Sequence, residues 1–167
     1  MAYTIVENCI GCTACTKKCP VEAITGLRNE IHIIDEGLCI DCGACGAVCP
    51  PEAILDEFGD LARTFPRKEL PLAHVISDNC IGSGCELCMN ICPFEALSLT
   101  DSPNNNKDYF GIAEVEPKKC VGCRLCEQVC GWGAIYIDPP REMLKKEIYP
   151  IEVLTPKSGK GLEKTSS

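Results

Sequence analysis

The sequence predicts an α+β chain of two tandem modules, each folded around inorganic groups in place of a large apolar core. Three observations carry this expectation. Sixteen of the 167 residues are cysteine. They fall into four runs of similar spacing, and each run leads into a similar short tail. The aromatic content is low, with four Phe, four Tyr and one Trp, too little for an extensive core in a chain of this length. Something covalent or inorganic must staple it.

In the first run Cys9, Cys12, Cys15 and Cys19 follow the pattern C-x₂-C-x₂-C-x₃-C and are closed by Pro20. Cys39, Cys42, Cys45 and Cys49 repeat it before Pro50. The fourth run, Cys120, Cys123, Cys126 and Cys130, has Gly131 in place of proline. The third departs at its start, because four residues separate Cys80 from Cys85, before Cys88, Cys92 and Pro93 resume the pattern. Two extra small residues there enlarge the loop around one cluster edge, which gives a partner or solvent better access.

Three thiolates two residues apart on a tight loop can grip three iron corners of one [4Fe–4S] cubane, while the fourth cysteine of such a run reaches the neighbouring cluster. The proline after it turns the chain away and has no N–H to satisfy. Sequential pairing of the runs gives Cys9, Cys12, Cys15 and Cys49 to a first cluster and Cys39, Cys42, Cys45 and Cys19 to a second. It gives Cys80, Cys85, Cys88 and Cys130 to a third, and Cys120, Cys123, Cys126 and Cys92 to a fourth. A nested pairing of first with fourth and second with third runs stays open, although the short 30-residue separation of the first two runs favours the sequential one. All sixteen cysteines are iron ligands in either case.

The intervening residues agree with this chemistry. An aliphatic follows each first cysteine (Ile10, Ile40, Ile81, Val121) and can roof a cluster against water. Next comes Gly11, Asp41, Gly82 or Gly122, types that tolerate left-handed backbone and let amide N–H groups turn toward an anionic cage. Zinc ribbons use two separated C-x₂-C pairs and need no third cysteine two residues on. A secreted disulfide framework would call for a signal segment, and residues 1–8 show no basic region, long apolar stretch or cleavage site of that kind. The expectation is a cytoplasmic protein with reduced thiols.

No apolar run approaches the roughly 18–20 residues of a membrane-spanning helix, so direct membrane insertion is not expected. The formal charge of −8 argues against nucleic acid as a partner. Four oxidised clusters at −2 each deepen that charge from −8 to about −16, which favours docking to a basic face.

The unit that repeats is a cluster loop, a short helix near the fourth cysteine, a turn and a strand. Its tails read Val-Glu-Ala-Ile from Val21, Pro-Glu-Ala-Ile from Pro51, Phe-Glu-Ala-Leu from Phe94 and Trp-Gly-Ala-Ile from Trp132. Apolar stretches at 3–6, 31–34, 74–76 and 112–115 supply the partner strands. The expected organisation is a first two-cluster module over 1–57, a connection over 58–72 and a second module over 73–138. A surface loop is expected at 101–108, and 139–167 forms a C-terminal arm and flexible tail, with 139–154 amphipathic and suited to docking.

These runs resemble bacterial-type ferredoxins over about residues 1–138, which implies two fused ferredoxin-like modules, each with two [4Fe–4S] clusters close enough for tunnelling. The chain's size, its four clusters and the stretch from Lys119 to Glu127, with Cys130, Gly131 and Trp132, are also similar to the small iron–sulfur subunit of tungsten-dependent aldehyde oxidoreductases. That resemblance implies, for electron donor, a large tungstopterin or molybdopterin subunit; a flavin subunit, ferredoxin or other acceptor would take the electrons. A freely diffusing polyferredoxin is a second reading, as is the electron-transfer subunit of a hydrogenase, formate dehydrogenase or related reductase. Head-to-tail self-association of the pseudo-repeats is a third.

Catalysis by the chain itself is not expected. Its two histidines, His32 and His74, are expected at the surface or packed on strands, no nucleotide-binding glycine loop is present, and every cysteine is used. Iron and acid-labile sulfide analysis of the purified protein should each give about sixteen per chain; values near eight would remove two of the four clusters.

Overall fold

The computed structural model describes residues 2–100 and 111–146. The expected surface loop at 101–108 and the tail beyond 146 lie outside the described residues. In the first half, β1 (Thr4–Ile5), β2 (Ile24–Thr25), β3 (Ile33–Ile34) and β4 (Ile54–Leu55) form two antiparallel pairs, β1 with β4 and β2 with β3. The register sets Ile5 opposite Ile54 and Ile24 opposite Ile34.

In the second half, β5 (Leu72–Val75), β6 (Leu97–Thr100), β7 (Ile112–Val115) and β8 (Ile135–Asp138) repeat the scheme, β5 pairing with β8 and β6 with β7. One difference from the sequence expectation is the start of β5. It begins at Leu72 because its ladder with β8 extends from Val75 opposite Ile135 to Leu72 opposite Asp138. Ile76, expected inside the strand, follows it and still donates its N–H to Ala134 O at 2.7 Å.

The short helices lie between the third and fourth cysteines. A 3₁₀ turn covers Thr16–Lys18, and α1 (Ala44–Ala47), α2 (Leu87–Ile91) and α3 (Leu125–Val129) cover the other three. Each of these three begins after a residue in left-handed conformation: Gly43, Glu86 and Arg124. Helices of one turn are marginal alone. Here the cysteine on each helix lines one cavity and the next cysteine of the run lines the neighbouring one, so the two ends are set by different spaces.

Two cores follow, one per half. The first gathers Tyr3, Ala23, Ile24, Ile34, Ala53, Ile54 and Ala62 with Cys15, Cys45 and Cys49; the second gathers Ala73, Leu97, Ala113, Ile135 and Ile137 with Cys126. Both combine alanines with aliphatic side chains around sulfur. Ile54 is the largest apolar side chain that is fully buried, contributing about 1.5–3 kcal/mol.

The described part of the C-terminal arm, residues 139–146, packs on the chain itself. Residues past β8 return to the first half, where Arg63 N–H donates to Leu144 O at 2.7 Å and Lys146 N–H to Leu61 O at 2.9 Å. Leu144 packs with Ala47 and Phe65 in a third small cluster. Around it, Arg141 pairs with Glu57 at 3.3 Å, Lys145 with Asp56 at 3.2 Å, and Lys146 with Glu52. The Lys145 ammonium also lies 4.1 Å from the centroid of the Phe58 ring.

Asp56 anchors this seam. Its Oδ1 accepts the N–H groups of Phe58 and Asp60, both at 2.9 Å. Burial alone would raise its pKa, but those two N–H donors and Lys145 outweigh it and hold the carboxyl below its usual range. Because the folded pKa is the lower one, the stabilisation is complete above the ordinary carboxylate range and is lost as pH falls through the depressed value. Asp56→Ala leaves two backbone donors without an acceptor and is expected to cost about 1–3 kcal/mol. Faster amide exchange at Ala62 and Lys146 in that variant is the measurement, and unchanged exchange there would remove Asp56 from this role.

Candidate metal centres

The four cluster loops close on four cavities. Cys9, Cys12, Cys15 and Cys49 line one. Cys19, Cys39, Cys42 and Cys45 line a second. The third is lined by Cys80, Cys85, Cys88 and Cys130, and the fourth by Cys92, Cys120, Cys123 and Cys126. In every case three cysteines come from one run and the fourth from its neighbour in the same half. The aliphatics after the first cysteines line the same four spaces: Ile10, Ile40, Ile81 and Val121.

Backbone conformation explains how the sulfurs are aimed. Gly11, Asp41, Gly82 and Gly122, one residue before the next cysteine or inside the enlarged third loop, all have positive φ between 54° and 67°. A second left-handed position follows the second cysteine of each run, at Thr13, Gly43, Glu86 and Arg124. A third lies three residues after each fourth cysteine, at Glu22, Glu52, Glu95 and Gly133.

That last turn has a visible purpose. It points the next N–H back at the sulfur, so Ala23 donates to Cys19 Sγ at 3.2 Å, Ala53 to Cys49 at 3.3 Å, Ala96 to Cys92 at 3.4 Å and Ala134 to Cys130 at 3.3 Å. All four alanines are buried, which accounts for the small residue repeated in each tail.

The donor set suits an iron–sulfur group. Burial pushes the Cys45 thiol well up, Cys126 to about 12, and Cys15 and Cys42 to about 11, so thiolates in these positions call for a cationic metal beside them. Among the described residues no three or more His, Cys, Asp or Glu converge on a point that would hold a single ion; the sulfurs ring a space instead. His32 adds a further observation. It is buried on the wall of the first cavity, its Nδ1 lies 3.0 Å from Glu30 O, and its Nε2 has no protein partner. A bound sulfide or thiolate would supply that partner.

Comparison with known proteins agrees. Residues 8–54 and residues 79–134 each match a family model described as a 4Fe-4S dicluster domain. The 7Fe ferredoxin of Hydrogenibacillus schlegelii is 49% identical over 65 residues, 39% of this chain and 72% of that protein. The chain belongs to the ferredoxin family. Its two dicluster domains and sixteen cysteines hold four [4Fe–4S] clusters.

Protein NrfC of Escherichia coli K12 is 30% identical over 131 residues, covering 78% of this chain and 44% of that protein. An iron-sulfur subunit of the CoB–CoM heterodisulfide reductase of Methanocaldococcus jannaschii is 31% identical over 80 residues, 42% of this chain and 12% of that protein. The chain therefore spans less than half the length of these two longer relatives.

As a ferredoxin the chain is uneven in how it covers its clusters. The third cavity is the one with no buried cysteine, and Cys12 of the first is the exposed one. Trp132 lines the third cavity with Cys130, although 58% of its surface is exposed. It thus serves the cluster space of the third run, not that of the fourth run in which it sits. The extra residues of the third run form a 3₁₀ turn over Gly82–Gly84 at the same rim.

Sequence reasoning finds the first left-handed position because glycine holds it in three runs. It misses the other two, which carry Thr, Arg and Glu. The signal is present in the fourth tail, where Gly133 stands where the other three have glutamate. A Cβ on Gly133 would meet nothing within 4 Å, so Gly133→Ala isolates the backbone cost, expected at about 1–2 kcal/mol. Glu95→Gly at the matching position relieves that cost and is expected to be neutral or stabilising by up to about 1 kcal/mol. The midpoint of thermal bleaching of the visible cluster absorbance should fall in the first variant and hold or rise in the second.

Proposed function

We propose that this chain is a relay subunit, taking electrons from a large tungstopterin or molybdopterin subunit that oxidises an aldehyde and passing them to a flavin subunit or another acceptor. The observation that carries the relay is the gathering of sixteen cysteines into four cavities within one short chain. A carrier that diffuses between enzymes needs one or two exposed clusters, whereas four suit a bridge between fixed redox centres. The four cavity-lining sets are the proposed ligands: Cys9, Cys12, Cys15 and Cys49; Cys19, Cys39, Cys42 and Cys45; Cys80, Cys85, Cys88 and Cys130; Cys92, Cys120, Cys123 and Cys126. When bound, each cluster supplies one-electron redox chemistry without making or breaking a substrate bond.

The protein's part is to set potential and access. The alanine N–H groups donate to the fourth sulfurs, which favours electron uptake, and the aliphatic roofs hold water off. The aldehyde-oxidising partner is supported by the resemblance of the stretch around Cys120–Trp132. A reductase complex is the second reading, favoured by the relative that is an iron–sulfur subunit of a heterodisulfide reductase; formate dehydrogenase and hydrogenase complexes fall in the same class. No described helix is long and apolar enough to cross a membrane.

Purification from the native source decides among these. Co-elution with a large chain that carries tungsten or molybdenum and reduces the clusters when given an aldehyde supports the aldehyde-oxidising complex, and co-elution with a large chain that does not respond to aldehyde supports the other reductase reading. A lone monomer sinks the relay. Trp132→Ala, which strips the exposed rim of the third cavity, should slow partner-dependent reduction several-fold while dithionite reduces the variant at the wild-type rate.

A further inference from the structure

Among the described residues, one meeting of the two halves lies between two particular cavities. Leu70 packs on the cluster formed by Ala47, Phe65 and Leu144, and Ala47 ends α1, the helix that carries Cys45 of the second cavity. The next residue, Pro71, covers Gly122: a Cβ there, at φ +67°, would lie 2.6 Å from the Pro71 carbonyl oxygen. Gly122 is flanked by Val121 and Cys123 of the fourth cavity. Two consecutive residues, about 3.8 Å apart at Cα, thus touch both loops.

A second strand of chain makes the same bridge. Arg124, next to Cys123, donates from Nη2 to Pro139 O at 2.7 Å. Five residues later Leu144 Cδ1 lies 2.8 Å from where a Cβ of Gly43 would be, and Gly43 lines the second cavity between Cys42 and Cys45. Five residues reach at most about 18 Å. Cys42 precedes Gly43 and Cys123 follows Gly122, so each of these contacts adjoins one cysteine of its cavity.

We propose that electrons cross between the modules at the edge formed by Cys42 and Cys123, so that the clusters run in the order first, second, fourth, third. This rests on the electron-relay reading above. Sharing of fourth cysteines places first beside second and third beside fourth, and the crossing joins the inner pair. The outer clusters are then the first, with the exposed Cys12, and the third, with no buried cysteine. Access from solvent falls at both ends of the series.

Arg124 is the positioning residue of the crossing. Its side chain is buried, paired through Nη1 with Glu127 Oε2 at 3.1 Å, and its Nε has no protein partner. Glu127 Oε1 in turn accepts the Ile137 N–H at 3.3 Å. With Arg124 removed, the Glu127 charge is left uncompensated beside the inner pair. One electron added to either inner cluster then meets more negative charge.

The test uses the isolated holo-protein, so it does not depend on which partner the chain serves. Cys42→Ser marks the second cluster by altering its EPR signal, and redox titration then follows it in the presence and absence of Arg124→Gln. Arg124→Gln should move both the marked cluster and the fourth toward the oxidised form by about tenfold, equivalent to about 59 mV for one electron. Arg124→Lys should restore much of it, and the first and third clusters should stay put. A shift confined to the fourth cluster overturns the crossing. Should the variants lose their clusters, pulsed dipolar EPR of the fully reduced wild-type chain decides: three close cluster–cluster couplings support the series, and two overturn it. Absence of four clusters by iron analysis would instead strike the earlier reading.

Discussion

Four sulfurs must face each of four small spaces, and in a chain with so few aromatic side chains this demand sets everything else. The cysteine runs are too compact to be helices or strands throughout, so the regular elements shrink to strands of two to four residues and helices of four or five. The cores are assembled from alanine, cysteine and a few isoleucines around those spaces. Without the inorganic groups, the buried thiols would face one another across voids, an arrangement that packing does not support. Folding and cofactor loading are therefore one process for each half.

Much of this is legible without coordinates. Cysteine spacing points to the metal type, the repeated tails point to pairs of units, and short apolar stretches locate the strands to within two residues. The left-handed turns are legible only at the first position of each run, where glycine or Asp41 marks them. At Glu22, Glu52 and Glu95 the backbone adopts the same conformation against the residue's own preference, because the following N–H is held by a sulfur. A tertiary demand overrides a local propensity there, and propensity alone cannot announce it.

In sequence the C-terminal arm reads as a free docking element, because its apolar and charged residues alternate with no visible partner. The partners lie some eighty residues earlier in the chain: Leu61, Arg63 and Asp56 meet 144–146 through backbone hydrogen bonds and ion pairs. Sequence pattern reports that a face is amphipathic, not what covers it. The same holds for the meeting of the modules, where Pro71 and Gly122 are unremarkable residues until the fold sets one upon the other.

The exchange of fourth cysteines also bears on how such a chain decays. Cys49 lines the cavity of the first run, while Cys39, Cys42 and Cys45 of its own run line the second with Cys19. With the ligand sets proposed above, each loop is held at both ends by different inorganic groups. Oxidative loss of one group frees the loop that anchors its neighbour, so damage spreads within a half before it reaches the other. On that arrangement the molecule fails in pairs, and a half-loaded module is a step toward an empty one.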